Sequence, residues 1–310
     1  MIVSIIICTR NRAAALRETL RSMEVLSIPP GLEVELIIVD NGSTDETRTT
    51  VNDVVIPQIK LRYVHEPALG KSCAQNTGVA SALGEVIIFT DDDVRPSPGW
   101  FNGITEPIIA GRFDALAGCV NIAPHLLRPW MTDRHKAWLA STHYLNTSEP
   151  EGAVSANMAV ARRVFARVPR FDPELGPGRL GFWDDTLFSL QLKKAGYRLG
   201  LAGDAVVEHH FDASRLSRSS FLARAAAEGR SLAYVTWHWK HETRTLPLLR
   251  AARRELELRL KRKLCAKDWP HAEGIAPWEM DLATAISFLR HFSVVRTQPR
   301  AYEKYGLNTL

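Results

Sequence analysis

Three consecutive carboxylates, Asp91, Asp92 and Asp93, follow directly on the apolar run EVIIFT at 85–90. At the mouth of a strand they repel one another unless something positive sits among them. A hard divalent cation, Mg²⁺ or Mn²⁺, relieves that repulsion and can bridge to diphosphate oxygens. An acidic turn feeding a helix near Pro98 is the other reading the triplet alone allows, since acids favour a helix N-terminus. Polar residues follow other apolar runs in the same way: Thr9, Arg10 and Asn11 after 3–8, Asp40 and Asn41 after 34–39, His209 and His210 after 205–208. The histidines can serve a phosphate or metal, or simply end a strand. Asp184 and Asp185 open a helical pattern at 184–195, where the helix dipole alone would account for two acids. Lys71 lies just past Gly70 where a loop enters a helix, a place for a cation to meet phosphate or for a solvated lysine.

The elements that must position these residues read as an alternation. VSIIIC (3–8), VELIIV (34–39), LRYVH (61–65) and EVIIFT (85–90) are strand patterns, and their continuous apolar runs suit strands buried on both faces. Helix patterns lie between them at 12–25, 44–54 and 72–82, the second opening on Ser43 with Glu46 three residues later, a capping-box spacing. Strand–helix–strand alternation argues for an α/β fold with a mixed, mostly parallel sheet flanked by helices, whose ligands gather at the carboxyl ends of the strands. Beyond Pro98 the sequence predicts a helix over 98–110, a strand over 115–123 and a long loop over 124–151. A segment entering a helix at 153–165, a Pro/Gly-rich loop at 170–181 and short strands at 198–202 and 205–208 follow. From 215 onward the pattern is helical.

The set VSIIICTRNR, IIVDNGSTDET, LGKSCAQNTG, GEVIIFTDDDVRPSPGW and WDDTLFSLQLKKAGYRL, in this order over about residues 1–212, resembles family 2 glycosyltransferases of the GT-A fold. The resemblance implies a catalytic domain over 1–213, divided into a nucleotide-binding half (1–97) and an acceptor-binding half (98–213), followed by a helical extension over 214–310. It implies that Thr9 and Asp40 hold the nucleobase and its ribose, with Arg10, Asn11, Lys71, Asn76 and Asp92 on the nucleotide-sugar side. Asp91 and Asp93 match the outer members of the D-x-D motif, Asp93 as main metal ligand, and His209 matches a position that contacts the metal or diphosphate. Asp185 matches the general base, with Asp184 and Trp183 orienting the acceptor. Asn157, in SANMAV, resembles a donor-sugar segment, although a structural turn fits it nearly as well. Gln75 stands where many relatives have arginine, and Asp184 replaces the commoner glutamate, so two positions depart from the pattern.

The implied chemistry is coherent with these residues. Displacing a nucleoside diphosphate from a sugar's anomeric carbon requires neutralising the leaving diphosphate and removing a proton from the attacking hydroxyl. Asp91 and Asp93 serve the first need and Asp185 the second, and a single in-line displacement inverts configuration. The expected donor is a nucleoside-diphosphate sugar, UDP ahead of GDP or dTDP, and the acceptor a hydroxyl of a glycan or lipid-linked glycan, with a small natural product or peptide as the alternative. A nucleotidyltransferase would carry a glycine-rich loop after the first strand, and CTRNRAAALRE has no glycine. A nucleotide-sugar-binding protein without catalysis is the remaining alternative.

With 45% hydrophobic and 24% charged residues over 310 positions, the chain has the composition of an ordinary globular protein. Cys8, Cys73, Cys119 and Cys265 show no paired framework, which fits a reducing compartment. No run approaches the roughly 20 apolar residues of a membrane span, and the N-terminus lacks the marks of a secretory leader, so the expectation is a cytoplasmic protein, either free or peripheral at the inner face of the membrane. Residues 214–310 hold 18 Lys+Arg against 9 Asp+Glu, net +9, whereas the rest is −4. Over 247–267 a helix pattern puts Leu249, Ala252, Leu256, Leu260 and Leu264 on one stripe among basic residues. Either it packs on the catalytic domain or it meets an anionic membrane surface. No nucleic-acid-binding module accompanies the charge.

Overall fold

A run of isoleucines with no polar period favours an extended chain buried on both faces, and the first strand, β1 (Ile2–Thr9), is almost wholly inaccessible. The computed structural model describes residues 1–142, 150–168, 170–265, 267 and 269–307. After β1 come α1 (Ala13–Ser22), β2 (Glu33–Asp40), α2 (Thr47–Asp53), β3 (Lys60–His65), α3 (Lys71–Ser81) and β4 (Val86–Asp91). Next are β5 (Val94–Pro96), α4 (Trp100–Ile109), β6 (Ala115–Ile122), α5 (Asp133–Trp138), β7 (Asn157–Ala161), α6 (Asp184–Lys194) and β8 (Leu199–His209). Three long helices close the chain: α7 (Arg218–His238), α8 (Pro247–Leu264) and α9 (Pro277–Val295).

The strands form one eight-stranded sheet in the order β3-β2-β1-β4-β7-β6-β8-β5. β3, β2, β1 and β4 run parallel, β7 is antiparallel to both β4 and β6, and β6 is parallel to β8. This is the mixed, mostly parallel sheet flanked by helices that the alternation predicts. Register places Thr9 beside Asp40 and Cys8 beside Asp91, so the polar residues that end these strands share one rim.

Four local expectations are corrected. The segment 153–165 holds strand β7 and then a 3₁₀ helix at Arg162–Ala166, not an α-helix. All five β7 residues are buried, and without a polar face periodicity cannot distinguish a central strand from a buried helix. The separate strands of 198–202 and 205–208 are one strand, β8, whose irregularity lies where its pairing shifts between Gly118 and Cys119. Ser43 does not cap α2. That helix starts at Thr47, where Asp45 accepts from the Thr47 backbone N–H at 3.1 Å, while Ser43 is used in another turn. The stretch 124–151 is not all loop, since α5 crosses it, and 143–149 lie outside the described residues.

The helical part is joined to the sheet by packing. A second core gathers Ile122 and Trp138 with Phe211, Phe221 and Ala225 of the β8–α7 region and Met280 of α9. α7 and α9 meet closely at Gly229, where a Cβ would fall 2.7 Å from the Phe288 backbone nitrogen. α8 rests on α9 through Ala251, with Glu255–Arg290 (2.6 Å) and Arg262–Glu279 (2.7 Å) as ion pairs beside it. Among the described residues no helix is long and apolar enough to cross a membrane.

Candidate active site

The strand ends open into a cavity of about 1090 Å³. Thr9, Asp91 and Asp92 come from the strand rim, Lys71 from the start of α3, and Trp183, Asp184 and Asp185 from the start of α6. α7 supplies a further wall with Ser220, Ala223, Arg224, Ala227 and Glu228.

The strongest cluster is Asp91, Asp93 and His209. One ligand atom from each can be chosen so that all lie within 4.8 Å of one another. His209 ends β8, and its Nδ1–H donates to the Leu139 carbonyl at 2.8 Å. That tautomer leaves the Nε2 lone pair facing Asp93 Oδ1, 3.1 Å away. Asp93 Oδ1 is buried and has no hydrogen-bond partner. His209 Nε2 has Arg215 Nη1 at 3.3 Å, but the buried Asp93 oxygen lacks any donor, a partner that a divalent cation would supply, so these residues fit the expected metal. On its other side Asp93 Oδ2 faces Arg12 at 2.5 Å and Arg215 at 3.6 Å. Burial opposes ionisation there, but the positive charges around it hold the Asp93 carboxyl well below the usual carboxylate range.

Asp92, which turns the other way, is buried too. Its carboxylate accepts from the Thr9 hydroxyl at 2.7 Å and pairs with Arg12 at 2.9 Å, yet burial pushes it up to about 7. Asp91, at the edge of the cavity, pairs with Lys71. Burial works against charge on that lysine, but Asp91 and Asp184 hold it protonated above its ordinary value.

Asp184 and Asp185 begin α6, entered through Trp183 in the left-handed region at φ 75°. This sharp entry aims the first helical turn into the cavity instead of along the sheet. Asp185 Oδ2 accepts from the Ser155 backbone N–H at 3.0 Å and Oδ1 from that of Thr186 at 2.7 Å. Oδ1 also accepts from the Thr186 hydroxyl at 3.4 Å, so both oxygens are held in place and Oδ2 keeps a lone pair to spare. Burial raises the Asp185 carboxyl, and burial with the neighbouring Asp185 charge pushes Asp184 up to about 7.

The remaining sequence-chosen residues fall at varied depths. Arg10 lines the cavity. Asn11 is latched to the next strand-end loop, donating its backbone N–H to Ser43 Oγ at 2.9 Å and accepting from Thr44 N–H at 2.7 Å. Asp40 is buried, taking the Tyr63 hydroxyl at 2.7 Å and the Ser43 N–H at 2.8 Å. Asn76 spans to the backbone of Phe171, donating at 2.9 Å and accepting at 2.8 Å. Asn157 is fully buried, donating to the carbonyls of Cys119 and Ala205 and accepting from the Trp100 indole N–H at 2.8 Å. Its side chain thus ties β7 to β6 and β8 behind the cavity. His210 lies beside Glu208 at 3.3 Å and outside the cavity lining, and Gln75 is buried with both amide atoms unpartnered.

Sequence reasoning missed the arginines. Arg12 and Arg215 embrace the metal-type carboxylates, and Arg224, Arg134 and Arg230 line the α7 side. Arg224 donates to the Trp138 carbonyl at 2.8 Å while its Nε stays buried and unpartnered, and burial lowers it to about 9. Arg12 carried a signal, lying three residues past Thr9 on the same rim. Arg215 lies in the 3₁₀ turn just after β8, six residues past His209, whereas Arg224 carried no signal, because only the fold-back of α7 brings it in.

Comparison with known proteins agrees with this geometry. The sequence model named Glycosyl transferase family 2 matches residues 4–166, just over half of the chain. The pre-mycofactocin glycosyltransferase of Mycobacterium tuberculosis is 26% identical over 257 residues, covering 80% of this chain and 50% of that protein. Glycosyltransferase AglE of Haloferax volcanii is 24% identical, covering 67% and 66%. The chain therefore spans between half and two thirds of the length of these relatives. Among solved structures, the mannosyltransferase PcManGT of Pyrobaculum calidifontis, in complex with GDP-Man and Mn²⁺, superposes with a TM-score of 0.63 at 17% identity, covering 96% of this chain and 87% of that one. TarS 1–349 of S. aureus, in complex with UDP-GlcNAc, gives 0.51 at 15% identity, covering 98% and 93%. At such identities the superpositions speak for the GT-A fold. The match over residues 4–166 does more: this chain belongs to glycosyl transferase family 2.

Proposed function

We propose that the protein transfers a sugar from a nucleoside-diphosphate sugar to a hydroxyl of a glycan or lipid-linked acceptor, with inversion at the anomeric carbon and Asp185 as base. The observation that carries this reading is a single cavity lined by Asp91 and His209, whose cluster partner Asp93 is buried, and by a backbone-held Asp185. The nucleotide sugars in PcManGT and TarS support a donor of that class, UDP ahead of GDP or dTDP.

Asp91, Asp93 and His209 would hold Mn²⁺ or Mg²⁺, which when bound supplies positive charge to the leaving diphosphate. Arg12, Lys71 and Arg215 surround the same spot and stabilise diphosphate oxygens through charge-assisted hydrogen bonds. Asp185, fixed by the Ser155 and Thr186 N–H groups, accepts the proton of the attacking hydroxyl. Asp184 and Trp183 orient that acceptor. A lipid-linked acceptor would place the working enzyme peripherally at the inner face of a membrane. The aromatic wall of Trp138, Phe182 and Trp183 fits an apolar small natural product or peptide as well, and this is the second reading.

Thermal-shift titration with UDP, GDP and dTDP, each with and without Mn²⁺, tests the donor site. Stabilisation by one diphosphate, dependent on Mn²⁺ and lost in Asp93→Ala, is expected. Equal stabilisation without the ion would overturn the metal assignment. Product analysis across glycan, lipid-linked and small-molecule hydroxyls then separates the two acceptor readings.

A further inference from the structure

Of the two roles open to the α8 leucine stripe, packing on the catalytic domain or facing outward, the stripe takes the second and faces solvent. Leu249, Leu256, Leu260 and Leu264 are 66%, 60%, 51% and 81% exposed, and Leu246 and Leu248, at the helix start, are 67% and 61% exposed. The face on α9 is another one, built from Ala251 and half-buried Leu258. At 3.6 residues per turn the four stripe leucines fall within an arc of about 80°. This is a continuous apolar ridge, not scattered exposure, and such ridges mark interaction surfaces.

Its surroundings are basic. Residues 247–267 hold eight Lys+Arg against two Asp+Glu, net +6. Arg253 lies among the leucines and Lys263 at their edge, both exposed. Along one flank Arg244, Arg250, Arg253 and Arg254, the last paired with Glu257 at 2.6 Å, line a cleft of about 360 Å³ between α8 and α9. Long basic side chains beside an apolar ridge can lay their stems along hydrocarbon while their charges reach a headgroup plane.

We infer that α8 is a membrane-docking helix, lying in the interface of an anionic bilayer with its leucine ridge inserted and its arginine-lined flank against lipid phosphates. A second copy of this chain is a poorer occupant, because a symmetric dimer would press Arg253 and Lys263 of one ridge against those of the other. The cavity is two helices away, since α8 rests on α9 and α9 on α7, whose other side lines it. Docking is thus separate from sugar transfer and holds for any acceptor.

Flotation of the full chain with phosphatidylcholine vesicles, with or without phosphatidylglycerol, tests this. The protein should float with the anionic vesicles and stay behind with phosphatidylcholine alone, because one amphipathic helix needs both burial and charge. The triple variant Leu256→Gln/Leu260→Gln/Leu264→Gln should lower anionic-vesicle binding at least about tenfold. Its melting temperature and nucleoside-diphosphate binding should stay close to wild type, because these side chains are more than half exposed and lie two helices from the cavity. Arg253→Gln/Lys263→Gln, which keeps the ridge intact, should reduce anionic-vesicle binding several-fold. Failure of the wild type to float with anionic vesicles overturns the inference, as does undiminished binding by the triple variant. Sedimentation showing a dimer that the triple variant abolishes, with no vesicle binding, would assign the ridge to a second copy and overturn it equally.

Discussion

Asp185 accepts two backbone hydrogen bonds and is still harder to ionise than an ordinary carboxyl, because burial outweighs them. A base must be ionised to accept a proton, so kcat/KM should fall as pH drops, on a limb above the ordinary carboxylate value of about 4. Asp185→Asn should lower kcat by about 10²- to 10⁴-fold while nucleoside-diphosphate binding persists. Unchanged turnover would remove the residue from its role. Asp184 makes a separate prediction about stability. Its pKa is raised to about 7 in the folded chain, so folding favours the protonated form. That contribution is full below the unfolded value near 4 and is lost as pH climbs through 7. Asp184→Asn should therefore raise the melting temperature relative to wild type more at pH 8 than at pH 5, measured by scanning calorimetry, while acceptor turnover drops.

The grouping of these side chains was legible because Asp91 and His209 end strands, Asp93 sits in the turn after β4 and Asp185 lies in the first turn of a helix, where a sequence pattern is sharpest. Asn76 and Asn157 illustrate the opposite. Both sit in motif-like stretches, but their amides close gaps between backbone segments, a use that side-chain polarity alone does not reveal. The arginines of α7 are a third case, since a helical pattern says nothing of which distant strand end its cations will meet.

For whole elements, parallel strands were readable from their apolar runs, and β7 was not. Met and Ala favour helices when nothing else decides, and here the deciding fact is a slot between β4 and β6 that tertiary structure provides. The α8 stripe was found correctly as a pattern but could not be oriented, because an amphipathic period does not say which side faces the protein. α7 and α9 make a firmer prediction. At Gly229 any side chain runs into the backbone of α9, with Phe288 N 2.7 Å from a Cβ. Gly229→Leu should separate the helices, cost about 1–3 kcal/mol or more, and disturb acceptor KM through the displaced α7 wall. A variant that melts like wild type would show that the crossing gives way.

The whole molecule is held together across its apparent seam by Asp172. This buried carboxylate, in the loop before α6, accepts the hydroxyls of Tyr234 on α7, at 2.9 Å, and of Tyr302 near the chain's end. Asp172→Ala would leave two buried phenols without an acceptor, at about 1–3 kcal/mol for each. Calorimetry should then show one transition, shifted down, because sheet and helices share the hub. Two separate transitions would show that they fold independently.

The α7 wall also bears on how this chain can be inherited in pieces. A crossover near residue 213, where the sheet ends, would look harmless in an alignment. It would nonetheless hand one parent's carboxylates a foreign set of arginines, because Arg215 and Arg224 lie beyond the cut while Asp93 and Trp138 lie before it. The smallest portable unit is the sheet with α7 attached. Exchanges that respect it can carry a new α8 surface, and so a new address, without touching the chemistry.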